Sequence, residues 1–164
     1  MAPIAPVTFA TADEHWDVSL ATPGLATDLR RAFPLGWLND HSDPRIRTFS
    51  GKATYTGTIR LGKPSCAKPV FWLDVGAMAD VARVRMNGIE TGIIWTQPHR
   101  LNVTSLIKAG RNVLEIEVAN LWVNRLVGEA ALNPLSTGAK MYRPNGPLRR
   151  AGLKGPVRVL MGCK

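Results

Sequence analysis

The stretch Val81-Ala-Arg-Val-Arg-Met86, followed by Asn87-Gly88 and Ile89-Glu-Thr-Gly-Ile-Ile-Trp95, decides the fold. Ala82, Val84 and Met86 alternate with Arg83 and Arg85. Alternation of period two belongs to a strand with one packed face and one wet face. Asn-Gly between two such runs predicts a tight hairpin, because both residues tolerate positive φ. Downstream, Asn112-Val-Leu-Glu-Ile-Glu-Val118 repeats the pattern, with Leu114, Ile116 and Val118 inward and Glu115 and Glu117 outward. Further strands are predicted at Trp16–Leu20, Phe49–Leu61, Val70–Val75, Ile89–Trp95, Arg100–Val103 and Pro156–Met161. Val70-Phe-Trp-Leu73 is apolar without alternation, which suits a central strand covered on both faces. Thr104–Gly110 reads as one short helical turn, with Thr104 as N-cap and Gly110 as left-handed terminator. About eight short strands, spaced by Gly and Pro, indicate an all-β sandwich or jelly roll.

The chain has 164 residues, 45% hydrophobic and 20% charged, with five Trp. Such a length suits one domain with a real core, read here as residues 14–164 behind an N-terminal extension, 1–13. No apolar run approaches the ~18 residues of a membrane-spanning helix, so no membrane association is expected. Met1–Val7 shows no secretory signal. The loop-rich stretches Ala21–Ser50, with Pro23 and Gly24 among its breakers, and Leu132–Gly155 are expected to cover a sheet edge or build a site. The net charge of +9 is uneven: residues 1–129 carry 14 basic and 12 acidic groups, and residues 130–164 carry seven basic groups and no acid. Such a segment can meet nucleic acid or dock an acidic partner domain. In the tail from Lys140 to Lys164 only Tyr142 accompanies the cations, so nucleic acid is not the expected partner, although a basic nucleic-acid-binding module stays as an alternative.

Catalytic patterns are sparse. Glu115 and Glu117 share a strand face about 6.6 Å apart, a spacing glycosidase carboxylates use. A wet sheet face with Arg83 and Arg85 across from them is the preferred reading, since nothing in the sequence encloses the pair. No nucleophile elbow or phosphate-binding glycine motif occurs, and His41-Ser-Asp43 reads as a solvated turn rather than a metal site. No catalytic residue and no metal ligand is therefore assigned. Polar groups and Trp instead cluster in Ile94–Arg100 and Asn120–Leu126. Trp95, Gln97, His99, Arg100, Trp122, Asn124 and Arg125 supply the aromatic platforms and planar hydrogen-bonding groups that sugars need. The plainer explanation makes Trp95 and Trp122 core anchors and has Asn120 and Asn124 bond loop backbone.

The strings Val70–Gly76, Ala82–Gly88, Gly92–Trp95, Pro98–Thr104 and Ala109–Val118 resemble the sugar-binding jelly roll of family-2 β-glycosidases. A nearer resemblance is to the C-terminal galactose-binding-like domain of bacterial α-L-rhamnosidase-type glycoside hydrolases. It is carried by Phe49-Ser-Gly-Lys-Ala-Thr-Tyr55, Asn120-Leu-Trp-Val-Asn-Arg-Leu126 and Leu153–Leu160, and covers residues 14–162. Asn102 and His99 depart from its usual Asp and aromatic residue. The resemblance implies a galactose-binding-domain-like sandwich that accompanies a catalytic barrel absent from these residues. It implies a non-catalytic carbohydrate-binding or structural accessory domain, with carbohydrate or a glycosidase catalytic domain as partner. A free-standing hydrolase using Glu115 and Glu117 is the alternative. Periplasmic or extracellular location is likewise implied. No cofactor is expected; a structural Ca2+, carried by some domains of this fold, is left open, as is pairing of Cys66 with Cys163.

Overall fold

The computed structural model describes residues 7–22 and 29–163. Met1–Pro6, on which the expectation about a secretory signal rests, Pro23 and Gly24 of the first loop stretch, and Lys164 of the basic segment lie outside the described residues. Strands run in chain order as β1 (Val7–Thr11), β2 (His15–Ala21), β3 (Leu29–Pro34), β4 (Gly51–Leu61), β5 (Pro69–Asp74), β6 (Ala77–Met78), β7 (Val81–Met86), β8 (Ile89–Ile94), β9 (Arg100–Asn102), β10 (Gly110–Asn120), β11 (Leu153–Gly155) and β12 (Arg158–Cys163). Helices are α1 (Pro44–Arg47), α2 (Val123–Leu132) and α3 (Thr137–Met141). The six-stranded sheet has the order β3-β2-β4-β10-β7-β8, and the four-stranded sheet β1-β12-β5-β9. β6 and β11 form a small ribbon of their own.

The core lies between the two sheets, and the alternating residues build it. Val18, Tyr55, Ile59, Val84, Met86, Leu114 and Ile116 from the larger sheet join Phe71, Leu73, Val75, Val159 and Met161 from the smaller one in a single buried cluster. The hairpin at Asn87-Gly88 takes the expected positive φ, 53° and 83°. Asn87 also works away from the turn: its Nδ2 donates to Asn112 Oδ1 at 3.0 Å, and its Oδ1 accepts from Val113 N–H at 3.0 Å. Gly57 gives Trp16 its place, since a Cβ there would come within 2.6 Å of the indole.

Four features differ from the sequence expectation. β1 falls inside the expected extension, yet it pairs with β12 from Val7 opposite Met161 to Thr11 opposite Arg158, so the smaller sheet begins there. β3 lies in the loop-rich stretch; it is an edge strand bonded only to β2 and mostly exposed, so it carries no alternation. α2 buries Asn124, Val127 and Ala130 at helical spacing, a period blurred in the sequence by apolar residues on its other faces and by Gly128. Thr104 does not cap a helical turn: its Oγ1 accepts from Phe71 N–H at 2.9 Å, because β5 lies alongside. The Val103 carbonyl closes the turn instead, accepting from the N–H groups of Leu106 and Ile107.

Two crosslinks tie distant parts together. Cys66 and Cys163 form a disulfide across 97 residues of sequence, with Cα atoms 6.3 Å apart. Tyr55, fully buried, accepts the Leu153 N–H at 3.1 Å and so joins β4 to β11. Burial pushes its phenol pKa well above the ordinary value, so the hydroxyl stays protonated. Tyr55→Phe leaves the Leu153 N–H without its partner and should cost ~1–3 kcal/mol, read as a lower Tm. Replacing both cysteines with Ser should lower Tm further, since closing a loop of this length is worth about 4–5 kcal/mol in the chain-entropy picture; calorimetry with and without reductant checks it.

Candidate functional site

The segment from Arg149 to Leu153 runs across one end of the sandwich and has almost no regular structure, so side chains satisfy its backbone. Asn124 Nδ2 donates to the Arg149 carbonyl at 2.8 Å, and Asn124 Oδ1 accepts from Arg149 N–H at 2.7 Å. Asn39 Oδ1 accepts from Ala151 N–H at 3.1 Å, and Asn120 Oδ1 accepts from Gly152 N–H at 2.7 Å. Leu38 N–H donates to the Ala151 carbonyl at 2.9 Å. This strap forms one wall of a cleft of about 450 Å3. The other walls come from Trp37, from Ala77–Asp80, from Gln97 and His99 after β8, and from the start of α2.

Of the seven residues expected at a site, Gln97, His99 and Asn124 line this cleft. Gln97 is exposed and makes no side-chain hydrogen bond among the described residues. His99 is half-buried, with Nδ1 2.8 Å from the Gly76 carbonyl. A carbonyl can only accept, so Nδ1 carries a proton and donates it, which leaves Nε2 for a ligand in the cleft. Asn124 is 3% exposed and fully engaged with Arg149, so it builds the cleft rather than touching what enters it. The plainer explanation holds for Asn124 and for Asn120. It does not hold for the tryptophans: Trp95 is 73% and Trp122 is 55% exposed, so neither is a core anchor. Trp122 sits between the lining residues Leu121 and Val123, and Trp95 two residues before Gln97.

Arg100 and Arg125 are drawn elsewhere. Arg100 Nε lies 2.9 Å from Asp74 Oδ2, a nearly buried carboxylate that Arg158 approaches at 4.0 Å. Arg125 pairs with Glu129 one helical turn on, at 2.9 Å, beside a separate groove lined by Arg45, Phe49 and Leu132. Trp37, Arg149 and Arg150 also line the cleft, and no motif in the sequence marks them. Arg150 stacks on the Trp37 ring at 5.4 Å. The signal that points to both arginines is the acid-free charge of residues 130–164.

The carboxylate pair is on the wet face. Glu115 Oε1 is 2.7 Å from Arg85, as the register predicts, and Glu117 pairs with Lys52 at 3.3 Å while Arg83 turns to Glu90 at 3.9 Å. His41 and Asp43 form a helix start. Asp43 N–H donates to His41 Nδ1 at 3.0 Å, and its carboxylate caps and pairs with Arg45. That contact, through the Arg45 side chain first and its N–H second, lowers the Asp43 pKa to about 2. Among the described residues no group of three or more His, Cys, Asp or Glu could hold a metal ion, and no helix is long and apolar enough to cross a membrane.

This architecture has known counterparts. A solved rhamnosidase from Novosphingobium sp. PP1Y is 35% identical, with a TM-score of 0.83, over 98% of this chain and 16% of its own. A Formosa agariphila protein provisionally named a beta-glucuronidase is 36% identical over 118 residues, 71% of this chain and 10% of its own length. A Bifidobacterium dentium beta-glucuronidase shares the fold, with a TM-score of 0.60 over 99% of this chain and 31% of its own, at 17% identity. No protein-family model matches the chain. The chain thus spans 10–31% of the length of these three proteins.

Asn124→Ala should release the strap. Amide exchange at Arg149 is expected to rise at least tenfold, with a stability loss of ~1–3 kcal/mol, since a buried bonding pair is removed.

Proposed function

We propose, on the premise that this chain is a sandwich domain of the rhamnosidase-type glycoside hydrolases, that it is a non-catalytic accessory domain. It packs against a glycosidase catalytic domain and contacts carbohydrate at the cleft and through the exposed Trp95 and Trp122. The observation that carries the reading is the alignment of 98% of the chain with only 16% of a rhamnosidase. The site geometry is in keeping with it. Two exposed indoles provide flat apolar faces for sugar C–H groups, while Gln97 and His99 offer directed hydrogen-bonding atoms in the cleft lining. Both acidic candidates for hydrolysis are held in ion pairs on an open sheet face, which supports a binding role over a catalytic one. The Cys66–Cys163 disulfide favours an oxidising compartment, periplasmic or extracellular.

The purified chain is expected to leave aryl glycosides intact. Turnover that disappears in Glu115→Gln or Glu117→Gln would overturn the assignment. On a glycan panel, Trp95→Ala and Trp122→Ala should each weaken binding by up to about tenfold with an unchanged circular dichroism spectrum, the scale of one lost aromatic contact.

A further inference from the structure

We infer that the cleft under the Arg149–Leu153 strap takes a sugar carrying a negative charge, a carboxylate or a sulfate ester, and that Arg149 and Arg150 hold that charge. The inference rests on the carbohydrate-binding reading and names its ligand class. Both arginines line the cleft, both are exposed, and among the described residues no carboxylate lies within ion-pair distance of either. One acid, Asp80, lines the same cleft, where its carboxylate accepts the Leu121 N–H through Oδ2 at 3.2 Å; two arginines against one carboxylate leave the lining with a positive excess. An anion entering it meets two guanidinium groups rather than displacing an internal partner.

The arginines are also preorganised. Asn124 grips the Arg149 backbone on both its N–H and its carbonyl, so that residue cannot drift along the strap. Arg150 makes a cation–π contact with Trp37, with 5.4 Å between its guanidinium carbon and the ring centroid, which favours its position beside the cleft. That contact uses none of the guanidinium N–H donors, which among the described residues have no partner and suit a two-point bond to a carboxylate or sulfate. Gln97 and His99 Nε2 are left for hydroxyls on the same ligand. A volume of about 450 Å3 suits one or two sugar units.

The test is titration calorimetry of the full chain with three probes: trigalacturonate, sulfated galactotriose and unmodified galactotriose. At least one charged probe should bind tenfold or more tighter than the neutral one, and the tighter of the two identifies carboxylate or sulfate. Arg149→Ala or Arg150→Ala should reduce that preference about tenfold, the size of one charge-assisted bond, with the melting curve unchanged. Lys154→Ala, which removes an exposed cation outside the cleft lining, should leave it intact. Raising the salt should weaken the charged probes and spare the neutral one. Equal binding of charged and neutral probes overturns the ligand class while carbohydrate binding stands. No binding of any probe overturns both. An equal loss in Lys154→Ala shows diffuse charge attraction and overturns the site.

Discussion

The hydrogen bonds that amide side chains make to the Arg149–Leu153 backbone are the constraint from which the candidate site follows. A segment with little regular structure, crossing the end of a sandwich, leaves peptide groups that neither sheet can pair. Asn39, Asn120 and Asn124 supply the missing partners from three separate places in the chain, and Tyr55 adds a fourth. Without them, the wall of the cleft and the two arginines on it would have no defined position. The buried polar groups here act as positioning devices, and their cost is met because their hydrogen bonds are made.

The two sheets were legible because each central strand states its own burial. Ala82, Val84 and Met86 and then Leu114, Ile116 and Val118 are all inward, and the two strands pair in register. Elements at the margins spoke less clearly. β3 is mostly exposed, so nothing in its residues marks a period; α2 mixes apolar residues around its axis, so the helical face is hidden. Trp16 and Trp95 illustrate the limit best. Both stand in strand-like runs, but one fills the core and the other faces water, because edge position and face are properties of the assembled sheet.

The site was half legible. Gln97 and His99 could be named because they sit in a polar loop after a hydrophobic strand, and that loop does line the cleft. Asn124 was named for the wrong contact: an amide that suits a sugar hydroxyl also suits a peptide group, and sequence does not distinguish the two. Arg125 was named because it follows Trp122 and Asn124, yet a helical turn carries it to another face and to Glu129. Arg149 and Arg150 were visible only as part of a charge excess. Sequence showed which fifth of the chain was basic, whereas the strap shows that two of those cations line one cleft.

The anchors of the strap come from residues 39, 55, 120 and 124, so contacts spanning up to 112 residues must be in place before it is held. Nothing local assembles that cleft. It exists only after both sheets have met and α2 has docked. Any ligand seated there is therefore a ligand of the finished fold and of no earlier state, and by mass action it draws the whole sandwich toward completion. Occupancy of the cleft then reports on the folding of the entire domain.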